Sequence, residues 1–249
     1  MASPSALKKR AQARAASRLL AGLPGVNSVA LFGSVARGDA DPSSDIDLIV
    51  LGMTDELTSS ELRRQVSLAL SGAAISVSYY TPASLQAYLG QWSRFGAHLR
   101  LESTILHDKD GELRKILAVE RPITTEYEFA AQARHLDRYK HVDRFGGRFL
   151  FPLAHLYRIG RAATFAAIAK TGRLEFDRRK AFDIASILYP DLEREFASVA
   201  ALAPFYEYQR EPQSRADSLP YDPSGPDAEQ HFVAARDAVA RVVSVGVVE

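Results

Sequence analysis

The stretch Leu31-Phe32-Gly33-Ser34-Val35-Ala36-Arg37-Gly38, followed after a short turn-rich segment by Ser44-Asp45-Ile46-Asp47-Leu48-Ile49-Val50, decides how this chain is read. Residues 26–32 read as a strand, 33–38 form a glycine-bearing loop, and a second strand runs from about 45 to 51. Side chains alternate along a strand, so Asp45 and Asp47 project to one side about 6–7 Å apart while Ile46, Leu48 and Val50 face a core. Two carboxylates so placed repel unless a cation lies between them, and a hard cation with oxygen ligands is the natural one. Gly33 lets backbone approach a ligand closely, and amides near Gly33 and Ser34, with the Ser34 hydroxyl, suit phosphate oxygens; Arg37 adds charge to that cradle.

Working outward, residues 6–23 place Leu7, Ala11, Ala15, Leu19 and Leu23 on a four-residue rhythm, which predicts a helix with those residues buried. Pro24-Gly25 ends it. Thr58 with Glu61 predicts a capping box for a helix carrying Leu62, Val66, Ala69 and Leu70. A third strand covers 75–80, Thr81-Pro82 opens a helix over 83–92, and a short strand lies near 104–107. Beyond Arg121-Pro122 the pattern becomes wholly helical: a capping box at Thr125 and Glu128, then helices near 127–144, 148–170, 177–188, 191–205 and 228–243, with a proline-bearing loop over 209–227. The expected fold class is α+β, a small mixed sheet with helices (1–120) followed by an all-α helical bundle (121–249).

Composition narrows the function. The chain has 249 residues, no cysteine and a formal net charge of +1, with 47% hydrophobic and 24% charged residues. A chain this long buries a substantial core, and without cysteine there is no disulfide framework, thiolate metal site or cysteine nucleophile; a reducing cytoplasm is the expected compartment. Any metal is left with oxygen or histidine ligands. The charge is uneven. No acid precedes Asp39, whereas Lys8, Lys9, Arg10, Arg14, Arg18 and Arg37 do; after Lys180 there is no lysine and acids outnumber arginines. The acid-poor start is not read as a transit peptide because it runs straight into the Gly33 motif, and no segment approaches the roughly 20 apolar residues of a membrane span. A near-neutral total makes nucleic acid an unexpected partner.

Asp-x-Asp alone is common, and Gly-Ser after a strand is usually a turn; their order in one strand, loop, strand unit is what carries information. Gly33-Ser34, ten intervening residues and Asp45-x-Asp47, with Ala36-Arg37-Gly38 and Ser44 in place, resembles the signature of the polymerase-β-type nucleotidyltransferase superfamily, and within it the minimal and aminoglycoside nucleotidyltransferases. The helical remainder resembles, more loosely, the companion domain of kanamycin-type nucleotidyltransferases and the HEPN proteins. The resemblance implies transfer of a nucleoside monophosphate, most often AMP from ATP, to a hydroxyl acceptor with release of pyrophosphate. It implies that Gly33 and Ser34, with Arg37 and Ser44, bind the nucleotide, and that Asp45 and Asp47 hold two Mg²⁺ ions. The implied acceptor is a small molecule or a protein, and the helical half shapes the acceptor site or forms a homodimer.

The chain departs from that family in one respect. A third carboxylate is expected on the next strand, where residues 75–80 offer only Ser76 and Ser78 on the polar face. A hydroxyl is a poorer cation ligand and no base near neutral pH. Glu102, Glu126 and Glu128 are the candidate substitutes; otherwise the protein is a catalytically reduced relative acting as a regulatory or antitoxin-type partner. Arg134 with His141, and Arg148 with His155, repeat an Arg-x6-His spacing similar to the HEPN ribonuclease motif, a spacing expected to arise once or twice by chance in a chain with this many arginines.

Overall fold

A computed structural model describes residues 3–42, 44–53, 57–70, 74–210 and 219–247. The chain divides into two compact units, Met1–Pro122 and Ile123–Glu249.

The N-terminal unit is a four-stranded mixed sheet in the order β3-β2-β1-β4 with helices on both faces. β1 (Val26–Phe32) pairs antiparallel with β2 (Ile46–Gly52) and with β4 (Thr104–Asp108), whereas β2 and β3 (Ile75–Tyr80) run parallel. The parallel pair follows from the crossover helix α3 (Ser59–Ala69) between them. Alternation sends Val29, Leu31, Ile46, Leu48, Val50, Ile75 and Val77 into one core beneath α1 (Pro4–Ala21) and α3. It sends Ala30, Ile49 and Leu51 into a second core beneath α4 (Pro82–Gln91), α5 (Ser93–Glu102) and α6 (Glu112–Ala118). A five-residue helix, α2 (Gly33–Arg37), occupies the expected loop after β1.

Three local expectations change. The buried stripe of α1 is Ala6, Ala13, Ala16, Ser17 and Leu20, while Leu7 and Leu19 are 58% and 44% exposed. Small side chains let the helix lie close on the sheet, so close packing rather than side-chain size selects the inner face. Thr58 caps α3 through the Glu61 amide, but the Glu61 carboxylate turns to Arg64 and Gln65 instead of closing a box. The segments that form α5 and α6 carry no strong periodic signal and were not expected as helices.

The C-terminal unit is all helical: α7 (Glu126–Leu136), α8 (Leu150–Lys170), α9 (Arg178–Leu188), α10 (Glu193–Ala200), α11 (Ala203–Arg210) and α12 (Ala228–Ser244). The expected single helix over 127–144 stops at Leu136 and continues as two 3-10 turns, Asp137–Tyr139 and Val142–Phe145, an arrangement that stacks the Tyr139 and Phe145 rings 5.8 Å apart. The expected helix over 191–205 is two, because Pro204 supplies no amide to continue the ladder and sits instead in the first turn of α11. Part of the expected 209–227 loop, 211–218, lies outside the described residues.

α8 is the axis of this unit. Leu153, Leu156, Ile159, Ala163, Ala166 and Ala167 are buried in one core with Phe182, Phe196, Val199, Phe232 and Val239 from α9, α10 and α12. The Thr164 hydroxyl, fully buried in α8, donates to the Gly160 carbonyl at 2.8 Å, so its burial leaves no orphan. At Gly160 a Cβ would lie 2.5 Å from Val199 Cγ1 and 3.2 Å from Val239 Cγ2. We expect Gly160→Ala to destabilise the protein by about 1–2 kcal/mol in urea unfolding despite the better helix propensity of alanine, because overpacking outweighs that gain. Adding Val199→Ala should recover most of the loss; a stable single variant would overturn the close packing described.

Candidate active site in the N-terminal unit

β1 ends at Phe32, whose backbone is extended (φ −139°, ψ −174°), and the chain reverses into α2 at Gly33 with φ 72°. Gly33 is needed on two counts. Its backbone lies in the left-handed region that L side chains avoid, and a Cβ there would sit 2.7 Å from Asp47 Oδ2. The turn and the Asp47 carboxylate are therefore in contact.

Asp47 is the second residue of β2 and the only one in that strand not fully buried. Its register partners are Phe32 on β1 and Ser76 on β3, so all three side chains share the sheet face that also carries Ile49. Asp45 immediately precedes the strand and is half-buried. The side chain facing Asp47 from β3 is thus a serine. Among the described residues no group of three or more His, Asp or Glu side chains is placed to hold a metal ion.

The loop between Ser34 and Asp45 is held by α1, a role that the sequence reading missed. Ser3 Oγ donates to the Ala40 carbonyl at 2.7 Å, and the Ser3 amide donates to the Gly38 carbonyl at 3.0 Å. Lys9 Nζ donates to the carbonyls of Asp41 (3.0 Å), Pro42 (2.8 Å) and Ser44, and Arg10 to those of Val35 (3.0 Å) and Ala36. The Ser44 hydroxyl, expected at the nucleotide, closes a turn: it donates to Asp41 Oδ1 at 2.9 Å and accepts from the Asp41 amide at 3.0 Å. The acid-free basic helix preceding the motif was the available signal for these tethers.

Arg37, at the end of α2, is fixed by two carboxylates. Its Nε lies 3.2 Å from Asp39 Oδ2 and its Nη1 3.0 Å from Glu102 Oε2 at the end of α5. His98, one turn earlier on α5, places Nε2 2.9 Å from the same Glu102 oxygen, and its ring meets Phe32 edge to face at 5.9 Å. Burial alone would raise the Glu102 pKa, but the contacts from His98 and Arg37 outweigh it and hold the carboxyl below its ordinary value. The His98, Glu102 spacing of four was legible as an i,i+4 pair only once 93–102 is known to be helical.

Glu126 and Glu128 belong to the other unit. Glu126 is exposed in the first turn of α7, while Glu128 is 1% exposed. The expected capping box there does not form: the Thr125 backbone is helical (φ −113°, ψ −11°), its side chain makes no cap hydrogen bond, and Glu128 points into the interior.

Gly33→Ala should cost about 1–2 kcal/mol in urea unfolding from backbone strain. Gly33→Ala combined with Asp47→Ala should cost less than the sum of the singles, since removing the carboxylate relieves the clash but not the strain; strict additivity would contradict the contact. Because the folded Glu102 pKa is depressed, its stabilising contribution is complete above the ordinary glutamate pKa and fades as pH falls through the lower folded value. The stability difference between the native protein and Glu102→Gln should therefore stay constant from pH 7 to about pH 5 and shrink below it.

Residues 13–95 match the family described as Nucleotidyltransferase domain, a span that contains Gly33, Ser34, Arg37, Ser44, Asp45, Asp47 and Ser76. The fold is similar to that of spectinomycin adenyltransferase AAD(9) from Enterococcus faecialis, solved with ATP and spectinomycin, at a TM-score of 0.55 and 8% identity, covering 94% of this chain and 99% of that one. A nucleotidyltransferase-like protein from Exiguobacterium sibiricum aligns at a TM-score of 0.37 and 14% identity, covering 95% of this chain and 74% of that one. A toxin-antitoxin structure with AMP-PNP aligns at 0.31 and 19%, covering 53% and 96%. No curated protein matches the sequence. Among the described residues no helix is long and apolar enough to cross a membrane. The residues that match the Nucleotidyltransferase domain family are thus those that form the strand, turn, strand arrangement of the N-terminal unit.

Proposed function

We propose that this protein is a Mg²⁺-dependent nucleotidyltransferase that moves AMP from ATP to an acceptor hydroxyl. In that reaction the acceptor oxygen forms a bond to the α-phosphorus, the bond from that phosphorus to the oxygen bridging to the β-phosphate breaks, pyrophosphate leaves with that oxygen, and the hydroxyl proton passes to water. The observation that carries the reading is the contact between Gly33 and the Asp47 carboxylate, which joins a backbone turn suited to phosphate and a metal-binding oxygen in one place.

Two carboxylates are what Mg²⁺ commonly takes from a protein, its other ligands being phosphate oxygens and water, so Asp45 and Asp47 fit the ion. When bound, it would neutralise charge developing on the transferred and leaving oxygens. Gly33 and Ser34 hold the triphosphate. Arg37 faces it from α2, and Asp39 and Glu102 orient the guanidinium. Glu102 is then a positioning residue: the His98 and Arg37 contacts that lower its pKa also make it a weak proton acceptor. Ser44 acts indirectly, by shaping the turn that leads into Asp45. The helical unit binds the acceptor, a small molecule by analogy with spectinomycin in the AAD(9) structure, or serves as a dimer surface. A cytoplasmic setting follows from the cysteine-free composition.

One observation favours a second reading. Ser76 stands in register with Asp47 where a third carboxylate is expected, which fits a nucleotide-binding relative with little turnover that works as a regulatory partner. The two are separated by measuring ATP binding with Mg²⁺ and pyrophosphate release in the native protein and in Asp45→Asn/Asp47→Asn. We expect native release with a trial panel of hydroxyl acceptors and a loss of about 100-fold or more in the variant, beyond the 10–100-fold typical of outer-shell partners of a metal. Mg²⁺-dependent binding without release supports the regulatory reading; unchanged binding and release in the variant overturns both.

A further inference from the structure

The C-terminal unit contains a feature that the transfer reaction does not use. The tetrapeptide His-Leu-x-Arg occurs twice, as His135-Leu136-Asp137-Arg138 at the end of α7 and as His155-Leu156-Tyr157-Arg158 in α8. In both, the leucine belongs to the core, with Leu156 fully buried and Leu136 packed against the same cluster. In α8, His155 and Arg158 stand one turn apart on a common side, and Phe151, one turn before His155, extends that stripe. Phe151 is 55% exposed and stacks on the His155 ring at 4.6 Å and 28°.

The two copies converge. Burial, then Arg158, His135 and Arg138 together, push the His155 pKa down, and Arg138 and Arg158 both act on the buried Tyr139, whose ring lies 6.1 Å from His155. His135, Arg138 and Arg158 are exposed, and none of them forms an ion pair or hydrogen bond among the described residues. The intervening acid, Asp137, is taken by Lys140 at 2.8 Å. Like charges gathered without a counter-charge destabilise one another, and an anion seated among them would relieve that cost. An exposed aromatic stacked beside such charges adds a flat surface for a planar group. Phosphates tracked by arginines and a base stacked on an aromatic ring are the elements by which single strands are held.

We propose that the face formed by Phe151, His155, Arg158, His135 and Arg138 binds single-stranded nucleic acid, with a base on the Phe151 ring and adjacent phosphates on Arg138 and Arg158. The chain's net charge of +1 does not reveal such a face, because acids elsewhere, most of all after Lys180, offset it in the sum. Binding here is independent of the nucleotidyltransferase reading.

Fluorescence anisotropy of the full-length protein with a labelled 12-nucleotide single-stranded RNA, in buffer without Mg²⁺ or ATP, tests it. We expect affinity to fall with salt at a log–log slope of about −1.4, two phosphate contacts at about 0.7 each. Arg138→Gln/Arg158→Gln should weaken binding about 10-fold or more and flatten the slope, and Phe151→Ala should weaken it about 5-fold or more while quenching of 2-aminopurine in the strand is lost. All these side chains are exposed, and circular dichroism of each variant checks that folding is kept. Asp45→Asn/Asp47→Asn should bind the strand like the native protein, so failure of the transfer reaction and failure of this site are read separately. Native-like binding by the double arginine variant, competition by inorganic polyphosphate with no effect of Phe151→Ala, or binding only of duplex would overturn the proposal.

Discussion

The contact between Gly33 and the Asp47 carboxylate is the constraint around which the N-terminal unit is arranged. A backbone with positive φ and no Cβ allows β1 to end against β2 without pushing the carboxylate away. Because β1 and β2 are antiparallel partners, the last residue of one, Phe32, lies opposite Asp47 near the start of the other. The same geometry places Ser34 and Arg37 beyond the strand end, on a single helical turn, and brings Arg37 to Glu102. Any side chain at position 33 therefore disturbs a turn and a carboxylate together.

Much of this was legible in the sequence, and the parts that were not share a physical cause. Strand alternation is a strong signal when both sheet faces are covered, and the four strands lie within a few residues of where the pattern puts them. The alanine-lined face of α1 was misread because a periodicity count weighs leucine above alanine, whereas a helix lying close on a sheet selects the smaller side chain. α5 is not legible because Arg94, Gly96 and His98 interrupt its apolar pattern, and with it goes the setting of Glu102, which the sequence offers only as a candidate base. Capping boxes were overread: Thr125 and Glu128 have the right spacing, but burial of Glu128 prevails over the local hydrogen bond.

The charge distribution changes meaning once the structure is known. The basic start of the chain is partly consumed internally, since Lys9 and Arg10 donate to backbone carbonyls rather than face solvent as a field. The nearly neutral C-terminal half, in turn, carries a local cationic face between α7 and α8 that no sum over the half discloses. Net charge describes solubility and long-range attraction; it says little about which groups are left without a counter-charge.

The tethers from α1 have a consequence for how this domain can vary. Surface connections usually accept insertions and deletions freely. The one between Ser34 and Asp45 is bonded at Gly38, Ala40, Asp41, Pro42 and Ser44 to a rigid rod whose own position is set by the sheet. A residue added or lost there cannot be absorbed as slack; it would detach the loop from its ruler. The ten-residue interval that first made the motif recognisable is thus a length measured by α1, and evolution could change it only by re-cutting the helix and the loop together.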